Sequence, residues 1–158
     1  MRSSRHTLMT FRTESRITID DSVRKVWAYL CDVGRWPEWA PTVLRCWVRH
    51  GAPLLPGARV EQWAKGILWT SRRRSQEVTV VEEPRRLGFA GPLGTSAGRW
   101  GIELAPLGEK RTDAEMWIEV GLAGPMRAIP SRVLESRIQR VSHLEMTLIK
   151  AAVESGTP

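Results

Sequence analysis

Phenylalanine and tyrosine are nearly missing from this chain, at two and one residues, yet it carries eight tryptophans. Such a bias points to places that need a large flat apolar surface with an N–H on its edge. Cysteine and histidine are scarce as well, at two and three. Cys31, Cys46, His6, His50 and His143 are too scattered for a structural zinc site, which needs four ligands in close pairs. The thiols read as free and buried in a reducing compartment, with no disulfide expected between them. No Ser-His-Asp or Cys-His arrangement and no phosphate-binding glycine loop is legible. No apolar run approaches a membrane span, and no signal-peptide pattern is present. A cytoplasmic protein with no stable membrane insertion is therefore expected.

What is present suits a single globular domain: 158 residues with 42% hydrophobic and 26% charged side chains. The formal charge is +7, but the cations are spread along the chain and only Arg72-Arg73-Arg74 forms a run. A nucleic-acid partner is accordingly not expected. Residues 1–10 are basic and polar and read as a flexible tail, or as an upstream start preceding the true one at Met9. Residues 11–156 form the domain.

Phe11 to Asp20 alternates, with Phe11, Thr13, Ser15, Ile17 and Ile19 on one face, which predicts a half-buried strand. Asp20, Asp21 and Ser22 offer cap oxygens to a short helix, and Val23, Val26, Trp27 and Leu30 give that helix one apolar face. The run Gly34-Arg35-Trp36-Pro37-Glu38-Trp39-Ala40-Pro41 then starts a second short helix or turn. Six further strands follow, approximately Val43–His50, Arg59–Lys65, Ile67–Glu82, Arg86–Ala90, Ala97–Ala105 and Arg111–Val120. Short connections predict an antiparallel meander in which sequence neighbours pair. A long helix from Ser131 to Glu154 closes the chain. At 100° per residue, Val133, Leu134, Ile138, Val141, Leu144, Leu148, Ile149 and Ala152 fall on one broad apolar stripe. Arg137 and Glu145 intrude on that stripe on either side of Val141, while His143 points away.

This order of elements, with Ile19, Val26-Trp27, Asp32, Trp36, Pro37 and Trp39, resembles the START-like (SRPBCC) superfamily and its polyketide cyclase/dehydrase-like family. Val78 to Leu87 is similar to that family's strand–Pro–Arg–Leu turn, and Gly98-Arg99-Trp100 through Leu104 to its penultimate strand. Asp21-Ser22 departs from the family's usual Ala-Pro, though either start caps a helix. The resemblance spans Glu14 to Glu154. It implies an α+β helix-grip fold: a curved seven-stranded antiparallel sheet, two short helices and one long C-terminal helix enclosing a cavity. It also implies a small hydrophobic ligand, polyketide- or lipid-like, and no metal or organic cofactor.

On that fold Trp27 and Trp36 read as wedges at the joint of the short helices, and Trp39 as reaching the cavity mouth. Strand parity places Trp100 and Ile102 inward, and likewise Met116 and Ile118. If Val78 and Val80 face inward without a bulge, Arg72, Arg74 and Gln76 share their face, near Trp69; otherwise Arg72 to Arg74 are solvated edge residues. From the helix come Arg137, Val141, Glu145 and Leu148. Arg137 and Glu145 are about 12 Å apart along the axis, too far for comfortable pairing. They either meet a ligand or sit at the cavity's ends and snorkel to water. Glu145, Arg137 and Arg72 are the catalytic candidates. Two functions compete: a cyclase, aromatase or dehydratase acting on a polyketide-like chain, and a non-catalytic carrier, sensor or assembly partner. A homodimer is left open.

Overall fold

The opening alternation becomes an edge strand, and the chain returns to it only at the far end of the sheet. The computed structural model describes residues 9–65, 70–93, 96–122 and 127–156. In chain order these form β1 (Met9–Ile19), α1 (Val23–Cys31), a 3-10 turn (Val33–Glu38), β2 (Val43–Val48) and a short turn (Arg49–Gly51). Then come β3 (Arg59–Lys65), β4 (Ser71–Glu82), β5 (Arg86–Leu93), β6 (Ser96–Pro106), β7 (Thr112–Leu122) and α2 (Ser131–Glu154). The strands build one antiparallel sheet in the order β1-β7-β6-β5-β4-β3-β2. The expected meander therefore runs from β2 to β7, but β1 pairs with β7 rather than with β2. α1 and the 3-10 turn carry the chain across the sheet, so β1 and β2 are its two edges. The bounds of β3 and α2 match the reading from the residues; β1 begins two residues earlier, and β2 gives way to a turn at Arg49.

Local chemistry explains the entry to the helical segment. Ser22 caps α1, its Oγ accepting from the Lys25 amide at 3.4 Å. Val26, Trp27, Tyr29 and Leu30 then turn inward. Pro37 sits inside the following 3-10 turn, which holds Trp36 beneath the sheet. The Trp36 indole donates to the Leu30 carbonyl at 2.9 Å, and its ring meets Phe89 edge-on at 5.1 Å and Trp100 at 5.4 Å between centroids. Phe89 and Trp100 stack at 4.5 Å. Trp36 is thus the wedge its neighbourhood of prolines suggested, and it joins helices to sheet.

α2 lies against β1 and sits differently from the projected stripe. Its buried side chains are Leu134, Ser142, Met146, Ile149 and Val153, whereas Val133 and Leu144 are 53% and 49% exposed. The helix is rolled toward β1 and pinned there: Gln139 Nε2 donates to the Glu14 carbonyl at 2.6 Å and Lys150 Nζ to the Thr18 carbonyl at 2.8 Å. The strand presents small buried Thr13 and Ser15 on its inner face, so the helix meets it with small Ser142 rather than with its bulkiest row. The roll leaves the other flank of α2 lifted from β2, β3 and β4.

The Trp36→Ala variant removes the ring on which both layers rest, together with its hydrogen bond. It should lose about 3–5 kcal/mol of stability in denaturant unfolding; a loss below about 1 kcal/mol would show that the aromatic cluster does not hold the short helices to the sheet.

Candidate functional site

The gap under the lifted flank is a cavity of about 390 Å³. Trp36, Trp39 and Trp100 line one end, Met116, Ile118 and Val120 the sheet side, and Leu134, Ile138 and Val141 the helix side. Thr42, Arg137 and Val141 line it and are also exposed, which marks the mouth between the middle of α2 and the start of β2. A concave, mainly apolar space with a few polar groups is what small-molecule sites look like.

The polar groups are few and unequal. Gln76 is spent on the wall itself, its Oε1 accepting from Trp100 Nε1 at 2.9 Å. Trp39 Nε1 and Arg74 Nε are buried and find no partner among the described residues. Buried donors are normally satisfied, so two orphans in one cavity wall mark where a ligand's oxygens or water would bind. Desolvation pulls the Arg74 guanidinium below its usual range, with Glu145 pulling the other way. Desolvation likewise pushes the Glu145 carboxyl up to about 7, opposed by Arg74. The two charges feel each other across the cavity, yet no Arg74–Glu145 ion pair within 4.0 Å forms. An apolar cavity with a desolvated guanidinium, a free indole N–H and a carboxyl poised near neutrality can hold a carbonyl and move a proton beside it.

Of the residues singled out from the sequence, Trp39, Arg74, Trp100, Met116, Ile118, Arg137, Val141 and Glu145 all line this cavity. Trp69 lies outside the described residues. Arg72 is exposed and absent from the wall, because β4 has run past the cavity's end there. Ile102 belongs to the closed core and Leu148 packs against that core, and neither lines the cavity. The parity that placed Arg74 inward holds because the β4 bulge falls beyond it, between Val78 and Val80; Val80 itself is turned out of the series. Gln62 and Phe11 were missed as wall residues. Phe11 shares a strand face with Ile17 and Ile19, so alternation carried its signal, whereas no facing was read for the strand that holds Gln62, which shares its inner face with buried Val60 and Ala64.

A curved antiparallel sheet gripping one long helix around an apolar cavity defines a START-like, helix-grip protein. Residues 10–154 match the family described as "Polyketide cyclase / dehydrase and lipid transport", and the chain belongs to that family. It is 30% identical over 152 residues to the granaticin polyketide synthase bifunctional cyclase/dehydratase of Streptomyces violaceoruber. That match takes in 93% of this chain but 45% of the relative, so the chain spans about half of that relative's length. Among solved structures, a START superfamily protein from Mycobacterium smegmatis superposes with a TM-score of 0.75 at 16% identity, covering 92% of this chain and 99% of that one. The Zhui aromatase/cyclase from Streptomyces sp. R1128 superposes at 0.72 and 14% identity, covering 92% and 94%.

The Glu145 carboxyl has a testable effect on stability. Its folded pKa of about 7 stands above the ordinary 4.5, so the folded chain holds the proton more tightly than the unfolded one. Stability therefore falls as pH rises from the ordinary value through the folded one. Glu145→Gln removes that slope: relative to the parent it should gain about 1–3 kcal/mol between pH 5 and pH 8 in urea unfolding. Parallel curves would mean that the carboxyl is solvated.

Proposed function

We propose that the protein cyclises and dehydrates a poly-β-ketone chain folded inside this cavity, using Arg74, Trp39 and Glu145. The observation that carries this reading is the Arg74–Glu145 arrangement: a cation and an acid line one apolar cavity and are not spent on each other. A poly-β-ketone offers what they lack, carbonyl oxygens for the donors and acidic methylene protons for the carboxylate. The family and the granaticin relative support the reaction class.

The chemistry follows from those groups. Ionised Glu145 takes a proton from a methylene flanked by two carbonyls. The enolate carbon so formed attacks a ketone carbon further along the chain. One C–C bond forms, and the ketone's π electrons move onto its oxygen, where Arg74 and the Trp39 N–H stabilise the charge. The proton held by Glu145 returns to that oxygen. Loss of a second methylene proton together with the hydroxyl expels one water and leaves a C=C bond, so the product is the substrate minus water. A carboxyl with a pKa near 7 serves both directions of transfer at neutral pH. The enclosing walls fold the chain so that the reacting carbons meet, which supplies much of the remaining barrier reduction.

A synthetic triketo ester tests this, since its slow spontaneous closure gives a baseline. The parent should accelerate the appearance of aromatic absorbance. Arg74→Met and Glu145→Gln should each slow that rate by about a hundredfold, while calorimetric binding of naphthol stays within a few-fold. A parent that binds naphthol and leaves the ester at its spontaneous rate is a carrier, and the catalytic reading then fails.

A further inference from the structure

Five residues of α2, Val133, Arg137, Arg140, Val141 and Leu144, recur at helical spacing on one face, and all five are exposed. This is the apolar flank that the roll toward β1 leaves uncovered. It borders the cavity mouth, because Arg137 and Val141 belong both to the exposed face and to the cavity wall. Across the mouth, Leu44 is 50% exposed and follows the wall residue Val43. Lys65 is tied to the same rim, its amide donating to the Thr42 carbonyl at 2.8 Å. Arg72 lies opposite Ala64, which itself pairs with Val43.

The charges here are handled differently from those on the sheet's outer face. There Arg12 and Arg99 both meet Glu119, at 2.9 and 2.6 Å. At the mouth, among the described residues, Lys65, Arg72, Arg137 and Arg140 make no ion pair. Unpaired cations interleaved with exposed aliphatic side chains around an apolar opening fit a surface that is anionic outside and apolar beneath. Two copies of this face would set guanidinium against guanidinium. An acidic protein would need a groove shaped to a convex helix, whereas a lipid surface conforms to it. No described helix is long and apolar enough to cross a membrane, so the contact is peripheral.

We infer that the cavity mouth docks on an anionic lipid surface, through α2 on one side and Leu44 with its neighbouring cations on the other. Docked, the opening meets acyl chains, and an apolar ligand enters or leaves without crossing water. The inference rests on the cavity reading for what is exchanged, but it does not need the cyclase chemistry.

The test is co-sedimentation with vesicles of phosphatidylcholine alone and of phosphatidylcholine with phosphatidylglycerol. The anionic vesicles should bind the protein, the neutral ones far less, and added salt should weaken the difference. Arg140→Gln and Leu144→Ser lie outside the cavity wall. Arg140→Gln, by loss of one basic contact, and Leu144→Ser, by loss of apolar area, should each lower partition to anionic vesicles by roughly fivefold, with naphthol binding unchanged. Equal binding to both vesicle types, or variants that partition like the parent, overturns the docking. So does salt-sensitive binding to soluble polyglutamate without vesicle binding, which would assign the face to an acidic protein. Vesicle binding by a protein that takes no naphthol leaves the docking standing and removes the cavity reading instead.

Discussion

Everything distinctive about this molecule follows from where its long helix is fastened. Gln139 and Lys150 hold α2 to the Glu14 and Thr18 carbonyls, at the middle and the end of β1, and the small buried Ser15 and Ser142 between them let helix and strand approach closely. A curved sheet is wider than one helix. A helix committed to one edge cannot also cover the rest of the sheet, so space opens between α2 and the inner faces of β7, β6, β4 and β3. The cavity is thus a consequence of an off-centre docking, and its position is set by two hydrogen bonds and a serine rather than by the residues that line it.

Two desolvated glutamates illustrate how differently the fold treats one side chain. Glu61 is 1% exposed on the outer face of β3. Burial pushes its carboxyl up, but hydrogen bonds from Arg49, Ser75 and Arg73 together hold it below the usual range. Glu145 is desolvated too and finds no hydrogen bond among the described residues, so its carboxyl rises. A desolvated charge stripped of partners is costly, and this one faces the cavity. The Trp36 indole on Leu30 and the Trp100 indole on Gln76 are matched. Among the described residues four buried polar atoms lack a partner, the Thr13 and Ser142 hydroxyls, Trp39 Nε1 and Arg74 Nε, and of these only the two nitrogens belong to the cavity wall.

Much of this was legible in the residues. Alternation and capping placed the strands and both ends of α2, and the Val26-Trp27 and Trp36-Pro37 signatures gave the fold. Strand parity placed Arg74 inside, and the helix stripe brought Glu145 to the cavity. The roll of α2 was not legible, because hydropathy centres a helix on its greasiest row, and Ser142 at the true contact line carries no apolar signal. For the same reason Arg137 lines the mouth and reaches water, the second of the two placements that the residues left open. The closure of β1 on β7 was missed because pairing across the whole chain leaves no local trace. The gathering of scattered cations at one rim was equally invisible, since Lys65 and Arg140 lie far apart in sequence.

The aromatic cluster has an optical consequence. Trp36, Trp39, Phe89 and Trp100 pack with ring centroids 4.5 to 6.4 Å apart. Indoles so close exchange excitation before they emit, so the group behaves as one chromophore whose colour is set by its lowest-energy member. Their fixed mutual tilts make that chromophore chiral, and a near-ultraviolet dichroism band should accompany the folded state. Because Trp39 and Trp100 face the cavity, any molecule bound there would perturb the transition of the whole group, and the cluster would report on its occupancy.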